Sequence, residues 1–235
     1  MWENLPDKLI LEKDTIQIYC VNLDSQLSQI NLLENNLSEE EKIRANKFKF
    51  ERLQNRFIVC RSILRILLGK YLNIKPSEIV FHYGKKGKPS LAKSCNHLGI
   101  EFNLSHSENF ALYGFTLNRK IGVDLEYRRE INELEKLVKR FFHSREYELL
   151  SKLENKQKQN LFFKIWTAKE AYLKALGTGI SEGLDKIEID NSQFKIDNNL
   201  LNNWQLYHLE TNTNYVASVA LENQTRLPIT THKIG

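Results

Sequence analysis

Between residues 101 and 127, apolar side chains alternate with polar or small ones in three consecutive runs, EFNLSH, NFALYGFTL and KIGVDLEY. A period of two marks half-buried strands, and the links HSEN and NRK are short enough for hairpins. The pattern predicts an antiparallel meander. Further strands are expected at Thr15–Val21 and Tyr215–Leu221. Elsewhere the period lengthens to that of a helix. Arg56–Lys70 (RFIVCRSILRILLGK) carries Val59, Cys60, Ile63 and Leu67 on one stripe together with Arg56, while Arg61 and Arg65 lie opposite, where solvent is expected. In FFKIWTAKEAYLKALG (162–177), Phe162, Ile165, Trp166, Leu173 and Leu176 form another stripe, and Gly177 suits a helix stop. Ser38 with Glu41 forms a capping box for a helix running into Lys47 and Phe48. Asn132 with Glu135 repeats that pattern for a helix through Phe142, and Ser144 can cap SREYELLSKL. Lys152–Asn160 reads as a solvated link, Asn191–Asn203 as a loop, and GKKGKPSL as a stretch punctuated by turns.

The order of elements hints at an internal repeat. Asn109-Phe110-Ala111-Leu112 matches Asn214-Tyr215-Val216-Ala217 in type, at an offset of 214 − 109 = 105. The same offset lays Arg56–Lys70 on Leu161–Ala175. The expected fold is therefore α+β: two similar halves, 1–118 and 119–235, related by a pseudo-two-fold axis, with a ligand site between them.

Composition narrows the class without choosing a function. Of 235 residues, 27% are charged and 41% hydrophobic, as in ordinary globular proteins. No apolar run approaches the roughly 20 residues of a membrane span. The start MWENLPDKLILEKDT has acids where a signal peptide needs a basic segment, so a cytoplasmic protein is expected. Cys20, Cys60 and Cys95 are odd in number and widely spaced, which predicts neither a disulfide framework nor a zinc site. Basic residues exceed acidic ones by 34 − 29 = 5, which suits an acidic partner.

The candidate chemistry lies where the patterns break. Lys169 falls in the middle of the second helical stripe and Glu170 on its edge, although charge on such a stripe is rarely buried without a partner. Glu170 to Lys174 is also an ordinary i,i+4 pair. In IGVDLEY, Gly122, Asp124 and Glu126 share one strand face. Two carboxylates this close repel unless a cation lies between them, and oxygen ligands at this spacing suit Mg²⁺. The same face also fits the solvent side of a half-buried strand. In a meander, Ser105 and His106 reach the sheet edge where Asp124 and Glu126 end. Arg44, Arg56 and Lys88 are candidate phosphate contacts, because an arginine fork matches phosphate oxygens. The P-loop and the dinucleotide fingerprint are missing. Three acids, one histidine and several bases suit Mg²⁺-assisted transfer of a phosphate-containing group.

GKPSL at 87–91, FNLSHS at 102–107, IGVDLEY at 121–127 and FFKIWTAKEAYLKALGTGIS at 162–181 occur in an order that resembles the Sfp-type 4′-phosphopantetheinyl transferases. The resemblance runs from about Leu37 to Ser181. It implies a monomer of two α+β halves that moves the phosphopantetheine arm of coenzyme A to a serine of an apo acyl or peptidyl carrier protein, releasing adenosine 3′,5′-bisphosphate. It implies Mg²⁺ on Asp124, Glu126 and Glu170, with Ser105 and His106 on coenzyme A phosphate. Lys88, Lys169, Lys174, Arg44 and Arg56 would bind coenzyme A or the developing charge. Glu146 matches the position proposed as base for the carrier serine in some members; a first-turn acid at a helix N-terminus fits it equally. The chain departs from the pattern at Glu41, where some members carry a basic contact. Two other readings compete: a nucleic-acid module stacking the aromatics of NKFKFERLQNRF, which three acids in the site oppose, and an inactive carrier-binding scaffold, which the intact acids oppose.

Overall fold

The computed structural model describes residues 3–4 (by backbone alone), 9–179, 183–211 and 214–234. The end of the fourth motif, Ile180 and Ser181, lies outside them. In chain order the elements are β1 (Glu3–Asn4), β2 (Ile16–Asn22), α1 (Ile30–Glu34), α2 (Glu39–Ala45), α3 (Glu51–Leu72), β3 (Phe81–Tyr83), β4 (Pro89–Leu91), β5 (Ile100–Ser107), β6 (Phe110–Leu117) and β7 (Ile121–Tyr127). Then follow α4 (Leu134–Phe141), α5 (Ser144–Ser151), α6 (Asn155–Leu176), β8 (Ile187–Asp190), β9 (Gln193–Ile196), β10 (Asn199–Leu200), β11 (Trp204–Leu209), β12 (Tyr215–Glu222) and β13 (Ile229–Ile234). Helices and sheets are interspersed, as expected of an α+β fold.

One sheet has the order β1-β13-β2-β6-β5 and another β11-β12-β7. Alternation in β2 sorts its side chains: Tyr19 and Val21 pack under α3, while Ile16 and Ile18 face the second sheet. Ile121, Val123 and Leu125 of β7 meet them there, together with Ala217, Val219 and Leu221 of β12. Ala168, Ala171 and Ala175 of α6 pack on Leu206 and Ala220 of the second sheet. The layers therefore run α3, first sheet, second sheet, α6. The last strand, β13, pairs in parallel with β2, so residues 229–234 join the sheet of the first half although the expected boundary places them in the second.

The meander breaks after its first hairpin. β5 and β6 pair as expected, but β7 pairs with β12 in the other sheet. It still runs beside β5, joined by side chains. Asn103 Oδ1, Ser105 Oγ and Ser107 Oγ accept the backbone N–H groups of Val123, Leu125 and Tyr127 at 2.9, 3.2 and 3.0 Å. Polar residues at every second position of β5 thus satisfy donors that a neighbouring strand would otherwise take.

Other expectations are corrected at the ends of elements. The Ser38–Glu41 capping box forms, but its helix stops at Ala45. Asn132 caps nothing: α4 begins after Glu133 without a side-chain cap. His143, not Ser144, caps α5, in a box with Glu146. Residues 155–160 are the first turns of α6 rather than a solvated link. The Asn-rich stretch forms β9 and β10, because Asn191-Ser192 and Asp197-Asn198 each adopt paired positive φ, the geometry of tight hairpin turns. Arg61 and Arg65 are buried at 7% and 2% exposure, since α2 and the β3–β4 hairpin cover the face expected to meet solvent.

One glycine sets the distance between α6 and the second sheet. A Cβ on Gly122 would lie 1.9 Å from Ala171 O and 2.5 Å from Ala175 N, both backbone atoms of α6. Gly122→Ala should therefore cost about 3 kcal/mol or more, because the helix as a whole must move away. Urea denaturation measures this, and a variant as stable as the parent would contradict the close approach.

Candidate functional site

Ala171 and Ala175 lie against Gly122, so the residues before them, Glu170 and Lys174, are carried to the face of β7 that bears Asp124 and Glu126. Lys174 Nζ donates to Asp124 Oδ1 at 2.6 Å and to Ser105 Oγ at 2.8 Å. The Ser105 hydroxyl itself donates to Asp124 Oδ1 at 3.1 Å, and Ser107 donates to Glu126 Oε2 at 3.1 Å. Asp124 and Glu170 are each 3% exposed. Asp124 Oδ2 and Glu170 Oε1 are buried with no hydrogen-bond partner among the described residues.

Three carboxylates thus share one ammonium. Burial and then the neighbouring Asp124 carboxylate push the Glu170 carboxyl up to about 7, with Glu126 adding to the rise and Lys174 opposing it. Burial and Asp124 raise Glu126 as well, against the Ser107 hydroxyl and Lys174. Among the described residues no three His, Cys, Asp or Glu side chains form a ready-made metal cage. Mg²⁺ does not need one, since it takes one or two carboxylates and completes its octahedron with phosphate oxygens and water. The two orphaned oxygens and the surplus of negative charge fit such an ion.

In front of this acidic floor lies a cavity of about 700 Å³. Arg44, Arg52, Arg56 and Arg61 line it from α2 and α3, Lys86 and Lys88 from the β3–β4 turn, and Arg129 and Lys174 from elsewhere; Glu108 is the one acid in that lining. Ser105, Ser107 and Lys174 separate the cavity from Asp124 and Glu126, each by one hydrogen bond. His106 is also in the wall, and burial, Lys174 and Arg56 lower its affinity for a proton. Lys88 Nζ bonds Ala175 O at 2.9 Å and Ile121 O at 3.3 Å, closing the C-terminal end of α6. Burial lowers its pKa to about 8. Arg56 is bidentate to Asp24 at 2.8 and 2.7 Å, with Glu108 3.6 Å away.

Two expected site residues stand elsewhere. Lys169 is 0% exposed, and its Nζ donates to Glu146 Oε2 at 2.5 Å and Leu184 O at 2.9 Å, 4.8 Å from the centre of the Phe142 ring. Glu146 also accepts the N–H groups of His143 and Ile189 at 2.9 and 2.8 Å. Neither side chain lines the cavity. The charge on the apolar stripe is a buried ion pair fixing α5 to α6, not a coenzyme contact, and every Glu146 oxygen is already occupied. Removing one partner of such a pair costs about 3–5 kcal/mol. Ser105 lines the cavity, but its hydroxyl is committed to Leu125 N, Asp124 and Lys174. Arg52, Arg61, Lys86 and Arg129 are wall residues that the sequence patterns did not single out; only their charge marked them.

A family model for the 4′-phosphopantetheinyl transferase superfamily matches residues 120–220, and one for the N-terminal part of a 4′-phosphopantetheinyl transferase matches residues 23–114. The chain is 44% identical over 223 residues to the 4′-phosphopantetheinyl transferase HetI of Nostoc sp., covering 94% of this chain and 93% of that one. The chain belongs to the 4′-phosphopantetheinyl transferase superfamily. It is also 30% identical to the 4′-phosphopantetheinyl transferase gsp of Aneurinibacillus migulanus, over 76% of this chain and 73% of that one. The human L-aminoadipate-semialdehyde dehydrogenase-phosphopantetheinyl transferase is 30% identical over 68% of this chain and 55% of its own length. The general reaction of this transferase is accordingly transfer of a 4′-phosphopantetheinyl group. No helix among the described residues is long and apolar enough to cross a membrane.

The raised Glu170 carboxyl sets a pH dependence. Its folded pKa, about 7, lies above the unfolded value near 4.5, so the native state holds more protons between those limits. The stabilisation is fully present below the unfolded value and is lost as pH rises through about 7. Metal-free protein should therefore lose stability between pH 5.5 and pH 8 by more than Glu170→Gln does. Urea midpoints at both values measure this, and equal losses would contradict the raised carboxyl.

Proposed function

We propose that this transferase moves the phosphopantetheine arm of coenzyme A to a serine of an apo acyl or peptidyl carrier protein, in a Mg²⁺-dependent reaction that releases adenosine 3′,5′-bisphosphate. The observation that carries the reading is the bipolar site: a cationic cavity whose wall residues Ser105, Ser107 and Lys174 bond the carboxylates of Asp124 and Glu126 just behind it, where Asp124 and Glu170 each keep one unpartnered oxygen. A polyanion alone would be repelled by those carboxylates; a diphosphate with a divalent cation satisfies both surfaces.

Asp124, Glu126 and Glu170 would hold the ion, which when bound neutralises the diphosphate and makes the adenosine bisphosphate a better leaving group. Arg44, Arg56, Lys88 and His106 grip coenzyme phosphates from the wall. Lys174, already shared between Asp124 and Ser105, supplies positive charge where the transferred phosphoryl oxygens collect charge. The serine Oγ attacks the phosphorus bearing the pantetheine arm, and the bond from that phosphorus to the oxygen bridging to the adenosine phosphate breaks. The serine proton passes to bulk water, since Glu146 is saturated by Lys169 and two backbone donors and lies outside the cavity lining. The basic excess of 34 − 29 = 5 favours the acidic surface of a carrier. The working unit is a cytoplasmic monomer whose halves, 1–118 and 119–235, are related by a pseudo-two-fold axis, with no nucleic-acid or membrane partner.

The test incubates the protein with coenzyme A, Mg²⁺ and several apo-carrier proteins and follows carrier mass. The expected gain is one phosphopantetheine arm. Asp124→Ala and Glu170→Ala should each slow transfer ~100-fold or more while circular dichroism stays native. Normal turnover by both variants would contradict the assignment.

A further inference from the structure

Glu41 stands where a basic contact was expected, and the structure gives it a different use. Its carboxylate accepts Arg61 Nε at 2.7 Å, Arg65 Nε at 2.6 Å and its own cap donor, Ser38 N, at 3.1 Å. Arg65 is consumed there, because its Nη1 also donates to Pro76 O and Ile79 O at 2.9 Å each. Arg61 is not consumed. Its Nε and Nη2 edge rests on Glu41, Nη2 bonds Tyr83 Oη at 2.9 Å, and the Phe81 ring centre lies 4.8 Å from Cζ. Nη1 donates to no group among the described residues, and the residue lines the cavity. Two guanidiniums on one carboxylate leave the cluster with one net positive charge.

Coenzyme A carries a diphosphate and a separate 3′-phosphate. If the acidic floor and Lys174 engage the diphosphate, the 3′-phosphate needs cations on another wall, and α2 and α3 supply Arg44, Arg52 and Arg61 there. Arg44 is exposed, whereas Arg61 is 7% exposed and held in one plane by carboxylate, phenol and ring. A fixed fork loses less entropy on binding phosphate than a free one. We propose that Arg61 is a ligand of the coenzyme 3′-phosphate and that Glu41 is the positioning residue that aims its guanidinium. This rests on the reading that the cavity takes coenzyme A.

The test is the equilibrium affinity of the intact protein for coenzyme A and for 3′-dephospho-coenzyme A, measured by calorimetry without carrier. The parent protein should prefer coenzyme A. Arg61→Gln should lose roughly tenfold or more on coenzyme A and little on the dephospho form, collapsing the ratio. Arg61→Lys keeps a cation on Glu41 and so guards against loss of the fold; it should keep only part of the ratio. Glu41→Gln should raise KM for coenzyme A with kcat unchanged. A merely structural Arg61 would weaken both ligands equally in both Arg61 variants, and that outcome, or an unchanged ratio, overturns the assignment. Binding of neither ligand by the parent protein would instead overturn the coenzyme reading on which it rests.

Discussion

The site depends on how closely α6 approaches β7. Because Gly122 has no side chain, the backbone of Ala171 and Ala175 occupies the space a Cβ would fill. The strand period then places Asp124 and Glu126 on the face that α6 covers, and the helix brings Glu170 and Lys174 to them. Moving the helix outward would lengthen the 2.6 Å contact between Lys174 and Asp124 that joins the two elements at the site.

That approach creates an electrostatic imbalance which the protein alone does not relieve. The Asp124 carboxylate raises the proton affinity of Glu126 and Glu170, and Glu126 adds to the rise at Glu170, behind a wall rich in arginine and lysine. Lys174 meets only part of the demand, since one oxygen each of Asp124 and Glu170 stays without a partner. Buried polar atoms left this way are costly, and in a preorganised site the cost is recovered when the missing charge arrives with substrate. By contrast, the Glu146–Lys169 pair is closed and fixes α5 to α6, while the Glu41–Arg61–Arg65 cluster ties the β3–β4 hairpin to α3 and keeps one net positive charge beside the cavity.

The face of β7 that carries chemistry was legible because alternation is a local property: Gly122, Asp124 and Glu126 must point the same way. The partner of β7 was not, because β12 lies some ninety residues later and pairing leaves no trace in period. A helical stripe likewise tells which residues face inward but not what they meet. Lys169 does face inward, and it meets Glu146 on α5 rather than the cavity. The apolar stripe of α3 points Arg61 and Arg65 toward solvent, yet the helix is buried almost all round from Ile58 to Leu72 by neighbours on both sides. The hairpin at 191–200 had a readable signal in its Asn-Ser and Asp-Asn pairs, which the abundance of asparagine masked.

The most direct measurement is anomalous diffraction from crystals grown with coenzyme A and Mn²⁺ in place of Mg²⁺. One strong peak is expected about 2.1 Å from carboxylate oxygens of both Asp124 and Glu170 and in contact with the coenzyme diphosphate. A manganese peak remote from either residue, with coenzyme A seated in the cavity, would contradict it.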